Sequence, residues 1–261
     1  MAQHVDVELT PNRATRPRKR EVPPPRADER PASLSLNDAL RTTGAVRDFT
    51  DQAVDDAVLA RVLDTARFAP SGANAQAWRI VVIKDPDKRR RLKDSYLRGS
   101  KDYLAMVTAG LRPWAPTNDR DAEAAALAAQ KAAETAATPG GLAEHFDEAP
   151  VLLALFADLS MLAAVDRDAD RYTFAGGASI YPFAWSILLA AHDEGLGGVI
   201  TTIAIREEEQ VKALLGAPDP MALAAVIALG YPVRRPTRLR RQPVASFASV
   251  DAIDGPIFGT P

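Results

Sequence analysis

Cysteine is absent from all 261 positions, which excludes disulfides, thiolate-bound metals and a cysteine nucleophile. The absence fits a reducing compartment. Histidine is scarce: His4, His145 and His192 stand far apart in unlike contexts, so no metal cluster or Ser-His-Asp arrangement is legible. Neither charge sign dominates. A formal net charge of -2 gives no electrostatic support to general nucleic-acid or membrane-surface binding. Long apolar runs are missing as well. The longest, APVLLALFA at 149–157, stops at Asp158 and is far too short to cross a bilayer. The N-terminus lacks the apolar stretch of a secretory signal. These absences predict a cytosolic (cytoplasmic) protein with no nucleic-acid and no membrane partner. There is no Walker loop, and GLGGV at 195–199 does not match the dinucleotide fingerprint G-x-G-x-x-G.

What is present is an ordinary globular composition, 47% hydrophobic and 25% charged, enough for one large domain or a domain with an arm. Residues 1–33 are rich in proline, arginine and glutamate and offer almost nothing to bury, so they read as a flexible arm. The domain then spans 34–261. Ser35 with Asp38 three residues later marks a helix start, with Leu36, Ala39 and Leu40 on one apolar face. Val58, Leu59, Val62, Leu63 and Ala66 recur at helical spacing until Pro70 forbids continuation. WRIVVIK at 78–84 reads as a strand, and DKRRRLKDSYL at 87–97 as a short charged helix.

The segment 118–138 is built from strong helix formers and ends at Pro139-Gly140-Gly141. Its apolar side chains are mostly alanine, so it cannot anchor deeply, and a helical lid around 112–140 is expected. PVLLALFA at 150–157 is a buried strand. The apolar helix 180–194 carries Pro182 in its first turn and the glycine-rich stretch Gly195 to Gly198 at its close. VITTIAI at 199–205 is a short strand or extended turn, REEEQVKALLG at 206–216 a helix, and ALAAVIALGYP at 222–232 a central strand. The section after 233 has no core of its own. Helices segregate from strands, so the fold class is α+β.

Candidate site residues are scattered. Arg47 sits at a helix exit, where a surface salt bridge is the plain alternative. The loop after Pro70 offers Ser71, Gly72, Asn74 and Gln76. Local turn chemistry explains one or two of these, but not the whole set. Thr201 and Thr202 follow a Gly-rich turn that either lets a flat ligand approach the backbone or simply caps a helix. RRPTRLRR at 234–241 is a solvated face or a phosphate grip. Together these groups match the needs of a large planar phosphorylated heterocycle: amides and hydroxyls for the ring edges, a backbone turn, and arginines.

Four segments, AVRDF (45–49), APSGANAQAW (69–78), ILLAAHDEGLGG (187–198) and IALGYP (227–232), taken in this order resemble the FMN-dependent nitroreductase family. The resemblance covers about residues 36–243. It implies a central mixed or antiparallel sheet flanked by helices in an intertwined homodimer, with FMN as cofactor and NADPH or NADH as hydride donor. Nitroaromatic or quinone-like small molecules would be the acceptors. Related flavoenzymes such as dehalogenases, flavin-cleaving enzymes and metabolite dehydrogenases, and FMN-storage proteins, are the alternatives.

Carried over by position, Arg47 would contact the ribityl chain, phosphate or pyrimidine edge of FMN, and Ser71, Gly72, Asn74 and Gln76 would meet the ribityl chain and ring edges. Thr201 and Thr202 would offer backbone N–H groups to the ring, and Arg240 and Arg241 would hold the phosphate. Trp114, Phe174 and Ser179 are the expected substrate contacts. No side chain need act as acid or nucleophile, because the cofactor carries the chemistry. Where many relatives carry an arginine upstream of the Arg47 position, this sequence has Gly44. The family's Gln-Pro-Trp appears here as Gln76-Ala77-Trp78.

Overall fold

The computed structural model describes residues 34–132 and 140–259. The arm at 1–33, the last part of the lid segment (133–139) and positions 260–261 lie outside the described residues. Four strands form one sheet: β1 (Trp78–Val82), β2 (Val151–Asp158), β3 (Gly197–Thr201) and β4 (Met221–Gly230). Their order is β1-β2-β4-β3, and every neighbouring pair is antiparallel. The expected α+β class holds, and within the four named strands the sheet is antiparallel rather than mixed.

Both faces of this sheet are covered, which explains why β2 is apolar without alternation up to Asp158 and buried at all eight positions. On one face, Val151, Leu153, Leu155 and Ala157 of β2 pack with Ala225, Ile227 and Leu229 of β4. They meet helices α2 (Asp56–Ala66) and α5 (Tyr181–Asp193). On the other, Leu152, Ala154 and Phe156 join Val226 and Ala228. These pack against α3 (Pro86–Thr108) and α6 (Glu208–Leu215). The β2–β4 register shifts between Leu155 and Phe156. The extra residue in β4, Ala224, reverses which side chains face which layer. Its carbonyl accepts from the Tyr181 hydroxyl at 3.2 Å.

Local chemistry places most boundaries. Ser35 caps α1 (Leu36–Thr42) by accepting from the Asp38 N–H at 3.1 Å, and its hydroxyl donates to the Asp38 carboxylate at 2.6 Å. Asp55 and Asp85 cap α2 and α3 in the same way, with Pro86 in the first turn of α3.

The apolar face of α1 is not buried within the chain, and Leu36 is 71% exposed. Two expectations need correction. The short charged helix is a 23-residue one, because Leu92, Tyr96, Gly99 and Met106 continue a buried stripe past the charged first turns. Glycines 197 and 198 do not close α5; both lie in β3. A Cβ at Gly198 would fall 2.7 Å from the Ala228 carbonyl oxygen, so their smallness serves packing inside the chain. The lid segment supplies α4 (Arg120–Ala132), tied to α3 by a Gln130 side-chain N–H that donates to the Lys101 carbonyl at 2.9 Å. Among the described residues, no helix is long and apolar enough to cross a membrane.

Candidate functional site

Among the described residues, backbone strain concentrates in the loop between α2 and β1. Ala73, Asn74 and Gln76 all have left-handed backbones, with φ of 52°, 54° and 49°. This conformation costs a non-glycine residue about 1 kcal/mol or more and persists only where neighbours enforce it. The enforcement is visible. The Ser71 hydroxyl accepts from the Gln76 N–H at 3.0 Å, and the Gly72 N–H donates to the Ser179 hydroxyl oxygen at 3.0 Å. Ala77 is fully buried, and Trp78 stacks on Phe183 with ring centroids 4.5 Å apart. The side chains of Asn74 and Gln76 remain exposed, 3.3 Å apart from amide nitrogen to amide oxygen. A rigid loop is thus built to present amides outward. Ser179, expected to touch substrate, anchors this loop.

At the far edge of the sheet, β3 ends at Thr201, whose side chain is buried and donates to the Tyr96 hydroxyl at 3.4 Å. Thr202, exposed, opens the 3-10 turn Ile203–Glu207. Tyr96 stacks on Phe146 at 4.2 Å. Burial pushes its phenol above the ordinary tyrosine range, against the opposing pull of Thr201 and the Arg47 charge. Arg47 itself is exposed and lines an open depression with Asp51, His145 and Glu148. Its backbone is pinned on both sides: Val46 N–H donates to Gly198 O at 2.9 Å, and Val233 N–H to Asp48 O at 3.1 Å.

The arginine run divides. Arg235 donates to the carbonyls of Gly195 and Leu196 at 2.7 and 3.0 Å, closing the end of α5. Arg240 and Arg241 are exposed, and Arg241 donates to the Arg240 carbonyl at 2.7 Å. Trp114 lies under the Arg206 guanidinium at 5.4 Å, and Phe174 is 73% exposed beneath Arg171 at 4.8 Å. Among the described residues, no group of three acidic or histidine side chains could hold a metal ion.

Sheet order decides how these pieces relate. β1 starts and β3 ends toward the same end of the sheet but at different levels: Trp78 pairs with Ala157, whereas Thr201, through Val226 and Ala154, stands level with Val81. β1 and β3 are opposite edges, separated across the sheet by three strand spacings or roughly 14 Å, with the offset along the strands in addition. One chain therefore gathers Arg47, Tyr96 and Thr201 on one side and leaves loop 71–76 on the other.

The profile of the Nitroreductase family matches residues 40–231. The chain belongs to the nitroreductase family. Iodotyrosine deiodinase 1 of Mus musculus is 27% identical over 213 residues, 82% of this chain and 67% of that protein. An NADH dehydrogenase of Thermus thermophilus is 27% identical over 237 residues, 81% and 93% of the two chains. A BluB-like flavoprotein structure from Clostridium difficile has a TM-score of 0.60 at 21% identity, covering 84% of this chain and 100% of that one. Iodotyrosine deiodinase bound to FMN and 3-iodo-L-tyrosine has a TM-score of 0.57 at 23% identity, covering 80% and 96%. The fold is the nitroreductase fold.

Two contributors in this nitroreductase-family chain escape sequence reasoning. Tyr96 sits in a run that reads as surface charge, and only its spacing from Leu92 and Gly99 marks the buried stripe. Arg235 looks like any other member of its basic run.

Proposed function

We propose that this protein is an FMN-dependent NAD(P)H oxidoreductase acting on nitroaromatic or quinone-like small molecules. It works as a homodimer with two sites between the chains. The observation that carries the dimeric site is the sheet order. Loop 71–76 and the Thr201–Thr202 turn lie on opposite edges, so a second copy can set one chain's loop against the other's turn. The exposed α1 face and the exposed Phe247 and Phe258 of the coreless C-terminal section offer apolar surface for that partner.

The residues present fit FMN. Asn74 and Gln76 offer both donors and acceptors from a fixed backbone, as the edge of a pyrimidine-like ring requires. Arg47, Arg240 and Arg241 are exposed cations of the type that grips phosphate. Gly72, Ser71, Thr201 and Thr202 complete the cradle, and Trp114 with Phe174 supplies flat apolar surface for an aromatic substrate. When bound, FMN supplies the two-electron chemistry, taking hydride from a nicotinamide and passing it to the acceptor. The chain's task is to orient the ring, offer N–H groups where negative charge gathers, and exclude water under α4.

A visible spectrum of the purified protein before and after anaerobic NADPH tests the reading. A bound-flavin band that bleaches with NADPH and returns with a nitroaromatic is expected, together with a dimer by light scattering. Colourless protein that takes up no added FMN sinks the proposal. Bleaching with reoxidation only by a halotyrosine would transfer the protein to the deiodinase branch represented among its relatives.

A further inference from the structure

His192 is buried, 8% exposed, in the last turn of α5. Its Nδ1 lies 2.7 Å from the hydroxyl oxygen of Thr43, itself 7% exposed. Thr43 is the residue at which α1 ends and the Arg47 segment begins, with its N–H on Ala39 O at 2.9 Å. One turn beyond His192, Arg235 closes the same helix end by donating to Gly195 and Leu196 carbonyls. From Arg235 the chain runs directly over Gly44: a Cβ there would fall 2.8 Å from Leu239 Cδ2 and 3.1 Å from Pro236 Cγ. Three separate stretches of chain thus meet at one buried joint, and the arginines assigned above to phosphate leave it in two directions. Arg47 leaves along one stretch, Arg240 and Arg241 along another.

We infer that His192, as the neutral imidazole, is a positioning residue that holds the Arg47 segment and the Arg240–Arg241 segment in register for the phosphate group of FMN. The inference rests on the flavin reading above. The hydrogen bond to Thr43 survives protonation, because a protonated Nδ1 donates to the Thr43 hydroxyl oxygen whichever neutral tautomer preceded it, so the bond is not what a proton disturbs. A proton instead places a buried imidazolium beside the half-buried guanidinium of Arg235. Arg235 opposes protonation, while Asp193, next in α5, favours it. From α2 the Arg61–Glu194 ion pair at 2.7 Å closes the adjoining turn, and from α1 the contact is the uncharged Thr43 hydroxyl. Burial is the largest influence and holds the imidazole below its ordinary value.

The test is the FMN dissociation constant by flavin fluorescence between pH 7.5 and 5.5, for the wild type and His192→Asn, with riboflavin as the ligand lacking phosphate. Asparagine places an amide near the Nδ1 position but carries no proton in this range. The phosphate's own titration near pH 6 is common to both proteins and cancels in the comparison.

The wild type is expected to lose about five- to tenfold more FMN affinity than His192→Asn over this interval, with riboflavin affinity parallel in the two. Parallel FMN profiles overturn the inference. So does a wild type that gains affinity relative to the variant as pH falls, because the imidazolium would then be a phosphate ligand. Should the asparagine variant not fold, Thr43→Val at pH 7.5 replaces it. At least a threefold loss of FMN affinity with riboflavin unchanged is expected, and unchanged FMN affinity overturns the inference. A wild type that binds no FMN at any pH removes the flavin reading itself, whereas parallel profiles leave that reading intact.

Discussion

Replacing Gly99 by alanine sets two effects of known sign against each other. Gly99 is in the interior of α3 and buried, where alanine is favoured over glycine by about 1 kcal/mol. A Cβ at this position would stand 2.7 Å from Ile203 Cγ2 and 2.9 Å from the Ile203 carbonyl oxygen. The methyl group can rotate away, but the carbonyl belongs to the turn Ile203–Glu207 and cannot. Overpacking against fixed atoms costs about 1–3 kcal/mol, so the clash outweighs propensity. Gly99→Ala should lose up to about 2 kcal/mol, a fall in Tm of about 2–4 °C for each kcal/mol at this chain length. Because the displaced turn begins at Thr202, flavin affinity should fall as well. Thermal unfolding by circular dichroism and an FMN titration measure the two quantities separately. A variant that melts higher than wild type and binds flavin unchanged would refute the claim that this contact sets the position of the Thr201–Thr202 turn.

Two other outcomes are expected. Arg241→Ala should weaken FMN retention about tenfold, as expected when a phosphate loses one charged partner worth about 1.5 kcal/mol, while riboflavin binding stays as in wild type; equal loss for both ligands would remove Arg241 from the phosphate site. Stability should decline as pH falls below about 6.5, because the unfolded His192 then binds a proton that the folded one resists, with a slope of at most about 1.4 kcal/mol per pH unit. A second loss should follow below about pH 4, where Asp166, held below the usual carboxylate range by the Phe174 and Ala175 amides and by Arg171, is protonated in the unfolded chain. Urea midpoints that stay level between pH 7.5 and 5.5 would contradict the His192 assignment.

Much of the molecule is legible from local chemistry. Capping at Ser35 depends only on a neighbour three residues away, so α1 begins where the sequence says, and Asp55 and Asp85 cap α2 and α3 by the same local chemistry. The apolar runs read at 150–157 and 222–232 mark the strands Val151–Asp158 and Met221–Gly230, covered on both faces. The polar set at Ser71, Asn74 and Gln76 stands out because a connector has no need of it, and it occupies the strained loop. The length of α3 was hidden, since its charged first turns mask a buried stripe that becomes periodic only when read through Met106.

The sequence by itself determined the type and rough position of most elements, and which loops carry ligand-ready groups, because caps, turns and periodicity are interactions among near neighbours. Only the tertiary structure decided which of those groups meet. Strand order β1-β2-β4-β3 sends loop 71–76 and Thr201 to opposite edges, and burial joins His192 to Thr43 across 149 positions. Strand order and such distant contacts come from packing the whole core at once, and no local window of residues encodes them.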